Sequence, residues 1–447
     1  MSYQIWHIWR WRNAFLLLFL LHGFLGQGLS GAPLNSSLFE HPNSKYKPTD
    51  VSGRNVYQSF RYGYLGGHFG AYAQQTTNNQ PTFVDANLSL NYRTLRYRGY
   101  RVGAEFWLNG RIFERVIDDF KKTKDIFTFT QLYGDFYNQF EYFRIRLGRY
   151  SLDEEWLTNN VEGLSVDYDG LKNLSFHASW IVGNAYSTIF YNSSFRDEPN
   201  KRFSTGSSDI ANERRDRFFN VVGALYGRGT IYMPDIPLDI MGYFYTAPGI
   251  FFSPGIKATL NLPLTIDWDL KSHLHLISYI QDEDFYGKDP KNGFTFIGDV
   301  SAVYADFEFG LGIIATNTYG SDLIDAFGQH SGFERPVGVF YGGVTTPYTY
   351  LKYQNRFVDA SLYARRSFTG QADEANNGLN IDSVEFVLKS TPLEDLGGLE
   401  LGIGAIYMDN KATEAKYFTT IERKKPIRDY FSGRDYILLR GFAQFKF

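Results

Sequence analysis

The stretch Arg434-Asp-Tyr-Ile-Leu-Leu-Arg-Gly-Phe-Ala-Gln-Phe-Lys-Phe447 alternates in polarity down to its terminal aromatic. Counting back from Phe447, one parity holds Phe445, Ala443, Gly441, Leu439 and Ile437, and the other holds Lys446, Gln444 and Arg440. A period of two is the mark of a strand with one apolar and one polar face. An edge strand of a soluble domain could read the same way, so the remaining chain decides what lies against the apolar face.

Composition narrows the choice. Across 447 residues there is no linker with a shift in composition, which favours one large unit. Aromatics make up 18%, with 33 Tyr and 40 Phe, alongside 43 Gly and only 4 Met; rings suit a pleated surface and glycine suits turns and kinks. With no cysteine, a disulfide framework, a thiolate zinc site and a Cys nucleophile are excluded. The formal charge of −3 becomes −5 without a leader carrying Arg10 and Arg12, so nucleic acid is not an expected partner. A mean hydropathy of −0.31 argues against a bundle of membrane helices. It remains compatible with a wall in which only alternate residues meet lipid.

At the N-terminus Arg10 and Arg12 precede the apolar run Ala14 to Leu25 and the small residues of GQGLSGA. That reads as a secretory signal over 1–32, too short for an anchor, with cleavage before Pro33 or a few residues earlier. Residues 33–57 read as a polar periplasmic lead-in, and 58–447 as the main unit.

From Gln58 onward alternation recurs. Val84, Ala86, Leu88, Leu90 and Tyr92 oppose Asp85, Asn87, Ser89, Asn91 and Arg93; Val358, Ala360, Leu362 and Ala364 oppose Asp359, Ser361, Tyr363 and Arg365. Marking such runs predicts eighteen strands, near 61–75, 82–96, 99–111, 126–138, 141–150, 161–169, 173–184, 219–231, 236–246, 250–263, 270–281, 292–305, 307–317, 349–356, 357–368, 381–390, 399–410 and 435–447. Gly338 to Thr345 reads as loop. Connections after even strands are short and several after odd strands are long (112–125, 185–218, 318–348, 411–434). Short turns on one rim and long loops on the other predict an all-β transmembrane antiparallel barrel of about 18 strands, its short rim periplasmic. A sandwich rarely reaches that count, and no 20–50-residue repeat supports a solenoid or propeller.

The C-terminal strand resembles the signature strand of bacterial outer-membrane barrels, which implies that Phe447 and Phe445 serve as a signal to the barrel-assembly machinery. Tyr142-Phe-Arg-Ile-Arg-Leu-Gly-Arg-Tyr150, followed by SLDEEWLTNNVEGLSVDY, resembles a recurrent element of the OprD-type porins: a basic strand ending in Leu-Gly-Arg, a loop, then a strand opening on Glu-Gly. The overall pattern is similar to the OprD-like outer-membrane proteins of the Helicobacter group, the Hof family. That resemblance implies a monomeric eighteen-stranded channel with a narrow basic lumen, set in outer-membrane lipid and lipopolysaccharide and open to small-molecule solutes. The segment after Tyr150 is short, so a long inward constriction loop does not carry over directly.

The polar parity then predicts the lining. Basic candidates are Arg93, Arg101, Arg144, Arg146, Lys257, Lys271, Lys352, Arg356, Arg365 and Arg440; acidic candidates are Asp85, Glu105, Asp135, Asp299 and Glu385. Cations facing acids set up a transverse field that favours small dipolar or carboxylate-bearing solutes, and a guanidinium meets a carboxylate bidentately. Asp153, Glu154 and Glu155 read as surface acids, His273 and His275 as lumen histidines without metal, and the acidic run Asp282, Glu283, Asp284 and Asp289 lacks EF-hand spacing. The rival function is an adhesin or host-interaction protein that uses the long loops. A hydrolase is disfavoured, since His330 has no nucleophile context, and no cofactor is expected.

Overall fold

The computed structural model describes residues 55–77, 82–115, 126–138, 142–155, 157–185, 224–233, 236–248, 251–282, 292–318, 332–333, 338–340, 342–369, 380–391, 398–410, 416–417, 425–426 and 435–447. The expected signal segment, most of the expected lead-in, His330, Glu283, Asp284 and Asp289 lie outside these residues.

A short helix, α1 (Val56–Arg61), precedes β1 (Tyr64–Thr76), β2 (Phe83–Arg93), β3 (Tyr100–Glu114), β4 (Phe127–Tyr137), β5 (Phe143–Glu154) and β6 (Leu157–Leu171). There follow β7 (Leu174–Ala185), β8 (Ala224–Met233), β9 (Leu238–Ala247), β10 (Phe251–Pro263), β11 (Trp268–Gln281) and β12 (Gly293–Tyr304). The last are β13 (Phe307–Thr316), β14 (Val344–Gln354), β15 (Val358–Thr369), β16 (Asn380–Ser390), β17 (Leu399–Asn410), the two-residue strands β18 (Lys416–Tyr417) and β19 (Lys425–Pro426), and β20 (Tyr436–Lys446). β18 pairs only with β19, and the other eighteen strands form one antiparallel sheet. Each of the eighteen expected segments coincides with one of them.

The sheet closes because β20 pairs with β17 on one edge and β1 on the other, with Phe69 opposite Phe445 and Ala71 opposite Ala443. Closure removes both edges, so no backbone group is left for lipid to satisfy. At the seam the Gly67 amide donates to the Phe447 carbonyl (3.0 Å) and the Phe447 amide to the Gly67 carbonyl (3.1 Å).

Alternation decides which side meets lipid. On β13, Phe309, Leu311 and Ile313 are exposed while Gly310 and Ile314 are buried. On β2, Asp85, Asn87 and Ser89 are buried, and the Leu88 parity faces outward. A wall that exposes leucine and buries aspartate has hydrocarbon outside and a polar interior. Paired rings ring the outer face near the short turns: Tyr100 with Phe136 (5.0 Å), Trp268 with Tyr304 (4.8 Å) and Phe307 with Tyr353 (4.8 Å). Such aromatic girdles mark a membrane interface.

On the inner face, tyrosine rings lie flat over glycines of the next strand. Tyr133 is opposite Gly103, Tyr243 opposite Gly255, Tyr348 opposite Gly312 and Tyr350 opposite Gly310. A Cβ at any of these glycines would stand 2.1–2.4 Å from the ring. Glycine here is a matter of space: it lets the ring hug the wall and cover the backbone.

Candidate functional site

Among the described residues, two segments enter the interior. The first is the end of the β5–β6 hairpin. The β4 ladder follows β5 only as far as Arg149, and the β7 ladder follows β6 only from Asn160 onward. Beyond those points the hairpin leaves the wall, and Glu154 at the end of β5 and Glu155 in the connection reach strands further around the barrel. Glu154 forms an ion pair with Arg228 on β8 and lies 3.6 Å from His177 on β7. Glu155 pairs with Lys257 on β10, with His275 on β11 4.0 Å away. The second segment belongs to the β13–β14 connection, where Phe333 packs edge-on against Tyr348 (5.3 Å) and Tyr363 (5.6 Å) and lies 5.2 Å under the Arg365 guanidinium. Val339 and Phe340 of the same connection are also buried.

This corrects the reading of Glu154 and Glu155 as surface acids: they are 8% and 7% exposed and buried against cations from other strands. Of the three, Asp153 alone stays exposed, though it too borders the cavity below the tip. The misreading came from taking 151–160 as a loop of the outer rim, whereas strand pairing continues from Ser151–Asn160 to Glu154–Leu157.

A charge network runs along the wall beside the hairpin. Arg146 holds Asp135 with two bonds (2.6 and 3.0 Å), and Arg101 reaches the same carboxylate at 2.7 Å. Arg144 bonds Asp167 (2.7 Å), which also meets His177 Nδ1 at 2.7 Å. Three guanidiniums, on β3 and β5, thus meet two carboxylates, on β4 and β6. Arg146 also lies over the Tyr133 ring (4.5 Å), which favours a desolvated cation.

The remaining expected residues fall as follows. Asp85 meets Arg111, and Glu105 accepts from Trp107 (3.1 Å), Thr130 (3.0 Å) and Gln131 (2.6 Å). Asp299 lies 3.1 Å from His273 and accepts from the Tyr348 hydroxyl (3.2 Å). Lys271 (3.3 Å) and Lys352 (3.8 Å) both approach Glu308. Arg365 is 3.9 Å from Glu385, and Arg440 donates to Gln74 (3.3 Å). Arg93 stacks on Tyr64 at the periplasmic end, 5.6 Å from the ring centroid. Arg356 departs from expectation: it sits exposed in the turn between β14 and β15, beyond the end of the wall. Sequence reasoning also passed over Arg111, Asp167, His177, Arg228 and Glu308. Asp167 stands on the same parity as Ser165, and Glu308 is the second residue of its strand, so parity could have found both; Arg228 lies in a segment whose glycines blur the alternation.

His273 and His275 sit 5.8 Å apart, and among the described residues no group of three or more His, Cys, Asp or Glu side chains is placed to hold a metal ion. Two cavities flank the inward segments. One of about 370 Å³ lies by the hairpin tip among Glu154, Glu155, Arg228, Asp239 and Lys257. The other, about 240 Å³, lies by Phe333 among Lys271, Asp299, Glu308, Tyr348 and Lys352.

A closed wall with lipid-facing apolar residues, an aromatic girdle and a charged interior entered by inward segments defines a transmembrane β-barrel of the outer-membrane type. Residues 48–269 match the family described as "Putative outer membrane protein". The chain's fold is similar to that of the OprD and Occ barrels. It is similar to OccAB2 of Acinetobacter baumannii at 10% identity and TM-score 0.66, covering 87% of this chain and 99% of that one. It is similar to Pseudomonas aeruginosa OpdK, solved with vanillate, at 11% identity and TM-score 0.65 over 87% and 99% of the two chains. P. aeruginosa OccK2, solved with glucuronate, gives 10% identity and TM-score 0.62 over 87% and 98%. No curated protein matches the sequence.

Proposed function

We propose that the barrel is a diffusion channel for small hydrophilic solutes, and that it favours those carrying a carboxylate or a dipole. The observation that carries this reading is that interior cations on several strands are met by carboxylates, two of them on the inward tip. Glu154 and Glu155 occupy Arg228 and Lys257, while the guanidiniums of Arg101, Arg144 and Arg146 outnumber the carboxylates they hold. A carboxylate-bearing solute can exchange partners along such a row at small cost, since each cation already gives up one carboxylate as it takes the next. The pore-lining set is then Arg93, Arg101, Arg144, Arg146, Lys257, Lys271, Lys352, Arg365 and Arg440 with Asp85, Glu105, Asp135, Asp299 and Glu385, joined by Glu154, Glu155, Asp167, Arg228 and Glu308. Support also comes from the fold: OpdK and OccK2 were solved with vanillate and glucuronate, both carboxylates.

Planar-bilayer recording tests the reading. The expected result is discrete conductance steps that benzoate or glucuronate interrupts more strongly than neutral sugars of similar size. A barrel that inserts without conducting would refute the channel, and equal interruption by neutral and anionic solutes would refute the carboxylate preference.

A further inference from the structure

Given the outer-membrane wall, we infer that α1 is an interfacial anchor that beds the periplasmic rim in the phospholipid leaflet, with Arg61 taking a lipid phosphate. The helix is built inside out for water. Val56, Tyr57, Phe60 and Arg61 fall along one side, at spacings of one, four and five residues, and the three apolar members are 55%, 67% and 51% exposed. Ser59, on the opposite side, is buried against the wall. Its carbonyl accepts from the Leu95 amide (3.0 Å), and the Tyr92 hydroxyl donates to the Phe60 carbonyl. Asn55 caps the start by accepting from the Gln58 amide (2.8 Å). The orientation is therefore fixed by hydrogen bonds, and it turns the aromatic side away from the protein.

Two observations name the occupant. Leu95 lies just before the β2–β3 turn, and Tyr100 just after that turn belongs to the aromatic girdle, so the exposed side of α1 extends the surface the wall presents to the membrane interface. Charge is also one-sided: Arg61 stacks against Tyr57 (6.0 Å) and Tyr62 (5.5 Å), Arg98 stands in the turn, and residues 55–84 and 86–104 hold no acid. Aromatics with arginine and no carboxylate suit an interface of acyl chains and anionic headgroups.

The chain has no cysteine, so a single introduced thiol can be spin-labelled in the full-length protein. Phe60→Cys, labelled and reconstituted in phosphatidylethanolamine vesicles with phosphatidylglycerol, should collide with oxygen more than with a water-soluble nickel chelate. The same label at Asp306→Cys, in the β12–β13 turn, should show the reverse. A Phe60 label dominated by nickel places the helix in water, and one shielded from both relaxants places it under protein; either result overturns the anchor. Leu311→Cys, on the outer face of β13, separates this failure from failure of the membrane reading, because it must collide with oxygen if the wall is in lipid at all. For Arg61, the Phe60 label should sit deeper with phosphatidylglycerol than without it, and Arg61→Gln should abolish the difference. Equal depths in the unsubstituted Arg61 background would remove phosphate binding from the proposal.

Discussion

Gly148 and Gly163 stand directly opposite each other across the β5–β6 ladder, at the level where the hairpin parts from the wall. Gly148 has φ +123°, and a Cβ there would lie 2.2 Å from the Leu132 carbonyl oxygen; at Gly163 it would lie 2.0 Å from that of Trp180. The missing side chains let β4 and β7 close in below the point at which the tip turns inward. Gly148→Ala is expected to cost about 1–3 kcal/mol through backbone strain and to loosen the tip. The expected readout is a lower denaturant midpoint together with larger, noisier conductance steps. A midpoint equal to that of the parent would show that the close approach is not made.

The tip acids tie the hairpin end to two cations on other strands, Arg228 and Lys257. Glu154→Gln with Glu155→Gln removes two negative charges from the inward tip, so permeability should move toward anions. Arg228 and Lys257 are 22% and 26% exposed, so water takes up part of the lost pairing, and the stability cost should stay near ~1 kcal/mol per pair. Reversal potentials in a salt gradient give the selectivity. A shift toward cations would contradict the placement of these carboxylates.

How much of this was legible beforehand follows from which signal each residue carries. The wall could be read because parity is local: Leu88 and Asn87 reveal their faces to anyone counting by two, and most of the eighteen segments emerged from that count, though 61–75 and 219–231 alternate poorly. Glu154 and Glu155 could not be placed, since nothing local says whether a hairpin end stays with its neighbours or leaves them. That depends on where the β4 and β7 ladders stop. Arg356 failed for the opposite reason: its spacing continued the pattern, but the strand had already ended at Gln354. The same limit hid α1, six residues that show no apolar period until its hydrogen bonds to β2 and the β2–β3 connection fix its outward side.

Asp135 is shared by Arg101 and Arg146, and its side chain has no exposed surface. Arg146→Gln leaves that carboxylate to Arg101 and the Tyr137 hydroxyl (3.4 Å) and takes one positive charge from the wall. Anion permeability should fall, and stability should drop by about 2–4 kcal/mol, since one partner of a buried pair is lost. Adding Asp135→Asn should restore only part of the stability: the neutral side chain no longer needs a second cation, but Arg101, 11% exposed, loses its carboxylate. Denaturant unfolding of the two single variants and the double variant completes the cycle. Strict additivity would mean that the two residues do not interact.

The glycine beneath a ring also sets how far that ring intrudes. Tyr350 lies over Gly310, stacks on Tyr363 at 5.3 Å and donates to Glu308 at 3.0 Å. A Cβ on Gly310 would stand 2.1 Å from the ring carbon that bears the hydroxyl, so Gly310→Val must push the ring off the wall. Displacement breaks the bond to Glu308 and crowds Lys352, which lies 4.6 Å over the same ring. The expected result is a smaller conductance with a stability loss of about 1–3 kcal/mol, the usual range for overpacking. Gly242→Ala on β9 is the matched control, because its Cβ would have nothing within 4 Å. If Gly242→Ala reduces conductance as much as Gly310→Val does, the effect belongs to strand glycines in general, and the ring is not what sets the width. A reduction confined to Gly310→Val ties the width of the channel to rings held flat by glycines on the neighbouring strand.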